Sequence, residues 1–218
     1  MNTRPPAILA VGRNYPHPGG PPPPDHVVFF LKNPASVIGD GTPIIIPEVC
    51  SQHGMQVDFE AELAVELAVD LKDASAAEVR AGIARYLPAN DVTCRWWEQH
   101  GAEGQLARGK SFDTFCPLGD GAVATEIEPD RPRRLISRLN GEVMQDACVT
   151  TMFRTVEELL MELSRGATLL AGSVLLTGTP AGIGMSQDPP RFLRDGDIVE
   201  VELEGVGSIA NPVQVDPG

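Results

Sequence analysis

Between residues 57 and 65 the chain alternates: Val57, Phe59, Ala61, Leu63 and Val65 are apolar, while Asp58, Glu60 and Glu62 interleave with them. A period of two is the pattern of an extended strand, whose successive side chains leave on opposite faces. Such a segment must lay one face on a core and turn its carboxylates the other way. A third carboxylate, Asp91, follows in Asn90-Asp91-Val92-Thr93, again among uncharged neighbours. Converging carboxylates repel one another, and leaving them unpaired away from water is costly. A divalent cation with oxygen ligands removes that repulsion, and Mg²⁺ suits a site of few carboxylates plus water. The plain alternative is an edge strand with one wet face, which shows the same alternation.

The rest of the chain sets this strand in a fold of one class. Residues 7–11, 27–31, 44–46, 123–127, 135–139, 174–177, 198–203 and 208–213 are short β-like runs separated by Gly, Pro and Asp. Asn140-Gly141 is a strong hairpin-turn signal. Two capping boxes, Ser75-Ala76-Ala77-Glu78 and Thr155-Val156-Glu157-Glu158, open helices. The first is expected to run to about Leu87 and the second to end near Gly166. Few helices among many short strands predict an α+β, mainly β fold, and 218 residues fit one domain spanning 1–218. Residues 15–26 hold six prolines and two glycines, which predicts an exposed loop or lid.

Charge and cysteine usage exclude several classes. At net charge −13 the chain is a poor partner for nucleic acid. It offers no basic amphipathic helix for a membrane surface. The opening apolar run is too short for a signal peptide or a span, so a cytoplasmic location is expected. Cys50, Cys94, Cys116 and Cys148 are scattered without a CxxC pair, and they read as reduced thiols.

Only three lysines stand against fourteen arginines, which draws attention to Lys32 and Lys110, since a lysine is a compact cation that burial can retune. The run Gly178-Thr179-Pro180-Ala181-Gly182-Ile183-Gly184 lacks the Lys-Ser/Thr of a phosphate loop. It reads instead as a tight turn offering amide N–H groups and the Thr177 and Thr179 hydroxyls to a carboxylate or enolate oxygen, or as an ordinary glycine turn. His17 and His26 flank the proline-rich loop, where a histidine can serve as a base over a metal site. Trp96 and Trp97 read as packing or pocket residues; His53 and His100 receive no role.

In chain order, Gly12-Arg13-Asn14-Tyr15, Phe30-Leu31-Lys32, Asp58-Phe59-Glu60-Ala61-Glu62-Leu63, Asn90-Asp91-Val92-Thr93, Gly109-Lys110-Ser111-Phe112-Asp113, Asn140-Gly141-Glu142 with Gln145, Thr177-Gly178-Thr179-Pro180 and Gly196-Asp197 recur. This series resembles the fumarylacetoacetate hydrolase superfamily, in particular its short single-domain members, over essentially the whole chain. The resemblance implies a mixed β-roll or barrel with a few peripheral helices, a homodimer, and an Mg²⁺ or Mn²⁺ ion held by Glu60, Glu62 and Asp91. Lys110 would face the substrate or its developing oxyanion, and Thr179 a substrate carboxylate. Arg13, Tyr15, Lys32 and Arg95 would be pocket residues, and His17 the candidate base.

The implied chemistry is that of a small anionic 2-keto or 1,3-diketo acid passing through an enolate, with C–C cleavage by hydrolysis or decarboxylation. An isomerase of 2-hydroxy-dienedioates in aromatic catabolism is the alternative, and a non-catalytic binding protein is the reading of another class. The sequence departs from the family in one place. Short members carry a histidine three residues after the motif tyrosine and a glutamate three further on. Here His17 follows Tyr15 by two, and no glutamate occurs before Glu48.

Overall fold

The Asn140-Gly141 turn shows how closely the local chemistry is followed. Both residues have positive φ, 53° and 83°, the conformation a two-residue hairpin turn requires. They join β11 (Arg134–Leu139) to β12 (Glu142–Cys148). The structure is a computed structural model describing residues 4–101, 103–128 and 131–216.

Two sheets hold most of the strands. The first runs in the order β10 (Ala122–Val123), β7 (Ile83–Asn90), β6 (Ala61–Leu67), β13 (Val174–Leu176), β1 (Ile8–Gly12), β2 (Val28–Lys32). The second runs β12, β11, β14 (Ile198–Leu203), β15 (Gly207–Val215), β4 (Ile44–Ile46). Two small ribbons complete the β structure: β3 (Val37–Ile38) with β9 (Cys116–Pro117), and β5 (Val57–Asp58) with β8 (Thr93–Cys94). The helices are α1 (Glu48–Ser51), α2 (Ala76–Gly82), α3 (Leu106–Lys110) and α4 (Val156–Leu163). The expected α+β, mainly β class holds. The sheets, however, stay separate and close into no barrel among the described residues.

The main core lies between the sheets. Leu63, Val65 and Leu67 of β6, with Leu9 and Val11 of β1, meet Leu135, Val201, Leu203 and Ile209 of the second sheet. Leu159 and Leu160 of α4 and Val79 of α2 close one side. Each such side chain contributes about 2 kcal/mol by burial, which fixes the register of β6 and turns its even-numbered residues to the opposite face. Ala64 packs on that face with Ile8, Ala10, Leu87, Ala89 and Leu176. Glu62 shares it.

Two expectations need correction. The capping box at Ser75 and Glu78 does open α2, but the helix stops at Gly82 instead of about Leu87. From Ile83 the chain pairs antiparallel with β6, Ile83 opposite Leu67 and Tyr86 opposite Val65. β-branched and aromatic residues facing a core prefer that ladder to two more helical turns. Likewise only Val123 of the run 123–127 lies in a strand, the end of Ala122–Val123, and Ala124–Glu126 forms a short 3₁₀ turn.

The proline-rich segment is free of regular structure, as expected, and its residues 16–23 are exposed. It is nonetheless tethered. Arg154 Nη2 donates to Pro24 O at 2.6 Å and Asp25 O at 2.9 Å, and Val27 N donates to Glu162 Oε1 of α4 at 2.7 Å.

Candidate active site

Glu60 lies in the gap between β5 and β6, Glu62 on the first turn of pleat in β6, and Asp91 just beyond β7. Ala61 pairs with Asn90, Asp91 N donates to Glu60 O at 2.8 Å, and Glu60 N donates to Asn90 Oδ1 at 2.9 Å. The ends of two paired strands therefore place the carboxylates side by side. One oxygen from each lies within 4.8 Å of the others. Glu60 is 7% exposed, Glu62 and Asp91 1% each. The wet-edge alternative does not describe these residues.

Three cations accompany them. Lys110 Nζ donates to Glu60 Oε2 at 2.9 Å, Asp91 Oδ2 at 2.8 Å and Thr93 Oγ1 at 2.7 Å, which uses all three ammonium hydrogens. Lys32 pairs with the other Asp91 oxygen. Arg95 spreads over Asp58 (2.9 Å), Glu60 (2.6 Å) and Glu98 (3.1 Å). Asp58 also accepts from Gly184 N and Met185 N, at 2.7 and 3.0 Å. Five carboxylates thus face three cations.

The excess charge sets the electrostatics. Burial favours a neutral Glu60, but Lys110 and then Arg95 outweigh it and hold the carboxyl down to about 2. For Glu62, burial, then Asp91 and Glu60, push the pKa well above the usual 4.5, and Lys110 and then the Gly178 amide only partly offset them. Burial works against a charged Lys110, yet Asp91 and Glu60 raise its pKa above the usual lysine range. A surplus of two negative charges, all-oxygen donors and a mutual spacing under 5 Å suit a hard divalent cation. The donor set therefore fits the divalent ion that the resemblance implies.

A cavity of about 250 Å³ opens over Glu60, Asp91 and Lys110. Val28, Phe30, Leu106 and Ile183 supply its apolar wall, and Arg13, His17, Glu98 and Thr179 its polar one. The Lys110 ammonium stands 5.2 Å from the centre of the Phe30 ring, close enough for a cation–π contact.

The residues singled out in the sequence divide accordingly. Arg13, with φ of 60°, is exposed at the mouth and donates to Pro22 O at 3.3 Å. His17 is exposed on the loop, and no carboxylate pairs with it among the described residues. His26 lies 3.7 Å from Glu162 and takes no part in the wall. Tyr15, Lys32 and Arg95 are buried and are not part of the wall. Burial, then Glu62, then Cys148 raise the Tyr15 pKa, and its hydroxyl has no hydrogen-bond partner among the described residues.

The turn after β13 differs from the expected open nest. Gly178 N donates to Glu62 Oε2 at 2.7 Å, and the Thr177 hydroxyl to Leu63 O at 2.8 Å. The Thr179 hydroxyl donates to Ala61 O at 2.9 Å and accepts from Gln145 Nε2 at 2.7 Å. These groups orient the acidic strand itself, so the amide and hydroxyls are already engaged.

Gln145 was noted only as part of a motif, yet it ties the site together. Its Oε1 accepts from Ala61 N and Ser137 Oγ, both at 2.9 Å, while Nε2 also donates to Pro180 O at 2.9 Å. A polar residue inside an otherwise sheet-forming run was its signal. Glu98 went unnoticed altogether; its spacing of three from Arg95 on a helical turn was the available hint.

A family model described as fumarylacetoacetate (FAA) hydrolase C-terminal matches residues 7–214. The chain is 37% identical over 215 residues to oxaloacetate tautomerase FAHD2A, mitochondrial, of Bos taurus, a match covering 97% of this chain and 67% of that protein. It is 39% identical over 212 residues to Protein Rv2993c of Mycobacterium tuberculosis, covering 94% and 74%. Among solved structures, 5-carboxymethyl-2-hydroxymuconate delta-isomerase from Mycobacterium smegmatis matches with a TM-score of 0.83 at 34% identity, over 97% of this chain and 80% of that one. Fumarylacetoacetate hydrolase from Exiguobacterium antarcticum matches at 0.85 and 33%, over 98% and 76%.

Proposed function

The chain belongs to the fumarylacetoacetate hydrolase family, and from that premise we propose a divalent-metal-dependent enzyme that acts on a small 2-keto or 1,3-diketo acid through an enolate. The observation that carries this reading is the buried set Glu60, Glu62 and Asp91 beneath a cavity of about 250 Å³. Those three residues would hold Mg²⁺ or Mn²⁺, which supplies Lewis-acid polarisation of a carbonyl.

The chain's own groups account for the rest. The Lys110 ammonium is held at the cavity floor by Glu60, Asp91 and Thr93, where it faces negative charge developing on a substrate oxygen. Arg13 at the mouth is the cation left for a substrate carboxylate, beside Thr179 in the wall. Phe30, Val28 and Leu106 exclude water from the reacting carbons.

Hydrolysis needs an activated water; decarboxylation and keto–enol proton transfer do not. His17 has no carboxylate partner among the described residues, and the relatives include an oxaloacetate tautomerase and a delta-isomerase. We therefore rank proton transfer on a keto acid first and decarboxylation second, with acylpyruvate hydrolysis after them. Calorimetric titration of oxalate, an enolate mimic, with and without Mg²⁺ tests the site. Failure of metal-dependent oxalate binding, or its persistence in Glu60→Ala, sinks the reading. Oxaloacetate, acylpyruvates and a 2-hydroxy-dienedioate then separate the reactions, and binding without turnover on that panel returns the non-catalytic reading.

We also propose a homodimer in a reducing compartment such as the cytoplasm, with no role in binding nucleic acid or a membrane. Exposed Phe29 and Leu31 on the edge strand β2 support the first, and four free thiols the second. No described helix is long and apolar enough to cross a membrane.

A further inference from the structure

The acid–base inventory of the cavity leaves one group unassigned. Glu60 and Asp91 belong to the acidic set, and the three N–H groups of the Lys110 ammonium are taken by Glu60, Asp91 and Thr93. The Thr179 hydroxyl proton is committed to Ala61 O. His17 rides on an exposed loop. The remaining carboxylate of the wall is Glu98.

Its setting is built rather than incidental. Glu98 lies in a short π-helical turn, Trp97–Gly101, a distortion found frequently at functional sites. Its side chain is 13% exposed and contributes to the cavity wall. Both oxygens share the Arg95 Nη1 donor, at 3.1 and 3.3 Å. A carboxylate has about four lone-pair sites, so most of its accepting capacity stays open. Arg95 is in turn locked by Asp58 and Glu60, which ties the position of Glu98 to that of the acidic set.

Gly109 brings Glu98 and Lys110 to the same cavity. A Cβ there would lie 2.7 Å from Glu98 N and 2.8 Å from Cys94 O. Without a side chain, α3 lies directly on the backbone that carries Glu98.

We propose that Glu98 is a catalytic residue of this chain, the base that takes the proton from the carbon next to the keto group. This rests on the enolate reading above. The C–H bond breaks and its electron pair forms the C=C bond. The carbonyl π pair moves onto the carbonyl oxygen, and the proton forms an O–H bond on Glu98. Return of that proton to the oxygen or to a carbon completes the transfer, with no oxidant or second reactant. The chain thus supplies from the β8–α3 connection the glutamate absent from its proline-rich loop.

The probe is oxaloacetate, with enol decay followed by ultraviolet absorbance over the uncatalysed rate in Mg²⁺. Glu98→Gln keeps an acceptor for Arg95 but removes basicity. It is expected to lose about 10²–10⁴-fold in rate and to keep oxalate affinity within threefold; Glu98→Asp recovers part of the rate. A Glu98→Gln rate like wild type overturns the inference. So does loss of oxalate affinity in step with rate, which makes Glu98 only a support for Arg95. Wild-type protein that binds oxalate but does not tautomerise the probe overturns the base while leaving the metal site standing. Absence of metal-dependent oxalate binding in wild type removes the enolate reading and the base with it.

Discussion

Lys110 Nζ lies 2.8 Å from Asp91 Oδ2, and both side chains are almost fully buried. The same ammonium reaches Glu60, so one cation spans two of the three carboxylates of the candidate metal site. Removing it leaves only Lys32 and Arg95 against the buried charge of Asp91 and Glu60. Lys110→Met is expected to destabilise the metal-free protein by about 3–5 kcal/mol, less whatever protonation of the carboxylates recovers. Mg²⁺ should then raise its Tm more than that of wild type, since the ion supplies the missing charge. An equal Mg²⁺-induced shift in both proteins would show that ion and ammonium do not share these carboxylates.

The same crowding makes stability depend on pH in two opposite ways. Glu62 has a folded pKa well above the ordinary 4.5, from burial first and then Asp91 and Glu60. Its native state binds the proton more tightly than the unfolded chain does. That contribution is complete below 4.5 and is lost as pH rises through the raised value. Glu60 is the reverse: Lys110 and Arg95 overcome burial to hold it down to about 2, so its contribution exists above 4.5 and disappears as pH falls through about 2. Metal-free protein in EDTA should therefore lose stability as pH rises past the usual carboxylate range. Glu62→Gln should flatten that limb, and excess Mg²⁺ should abolish it, because the ion requires ionised ligands. Thermal melts across pH, with and without Mg²⁺, read this directly. A wild-type slope unchanged by either substitution or metal refutes the assignment.

The acidic set was legible because strand alternation is a local rule: Leu63 and Val65 must enter the core, so Glu62 must leave it. Asp91 was legible because it stands alone among uncharged residues. The helix from Ser75 was half legible. Its start is chemical, a capping box, but its end is set by pairing of Ile83 and Tyr86 with β6, a contact no local pattern contains. Glu98 and Gln145 were hidden for the same reason. Arg95 brings Glu98 into the cavity wall, and Gln145 crosses from the second sheet to Ala61. The turn at Gly178 misled because its open amide is answered by Glu62, from a different strand.

Gly109 offers a test of close approach without touching any charged group. An added methyl would fall under 3 Å from two backbone atoms, Glu98 N and Cys94 O, neither of which can rotate away. Gly109→Ala should cost about 1–3 kcal/mol through overpacking, seen as a lower Tm. Because α3 carries Lys110, the shift should also misplace the ammonium against Asp91, and a displacement of about 1 Å can cost 10²-fold in rate. The expected outcome is a rate loss well beyond the fall in Tm, measured at a temperature where the variant is fully folded. Normal turnover together with a normal Tm would mean that the backbones separate at no cost.

The outer strand β2 carries the prediction for assembly. It pairs with β1 on one side, and Phe29 and Leu31 are 53% and 54% exposed on the face that β1 buries through Leu9 and Val11. Val28 and Phe30, on the opposite face, line the cavity. An uncovered apolar edge of this kind invites pairing with another chain. A second copy covering it would stiffen the strand whose other face shapes the site. Light scattering after size exclusion should give a dimer for wild type, and Leu31→Glu should shift it toward monomer, since a buried unpaired charge is costly. The monomer should keep its circular dichroism while losing part of its turnover, as the Phe30 wall loosens. A wild-type monomer, or a Leu31→Glu dimer of unchanged affinity, would place the interface elsewhere.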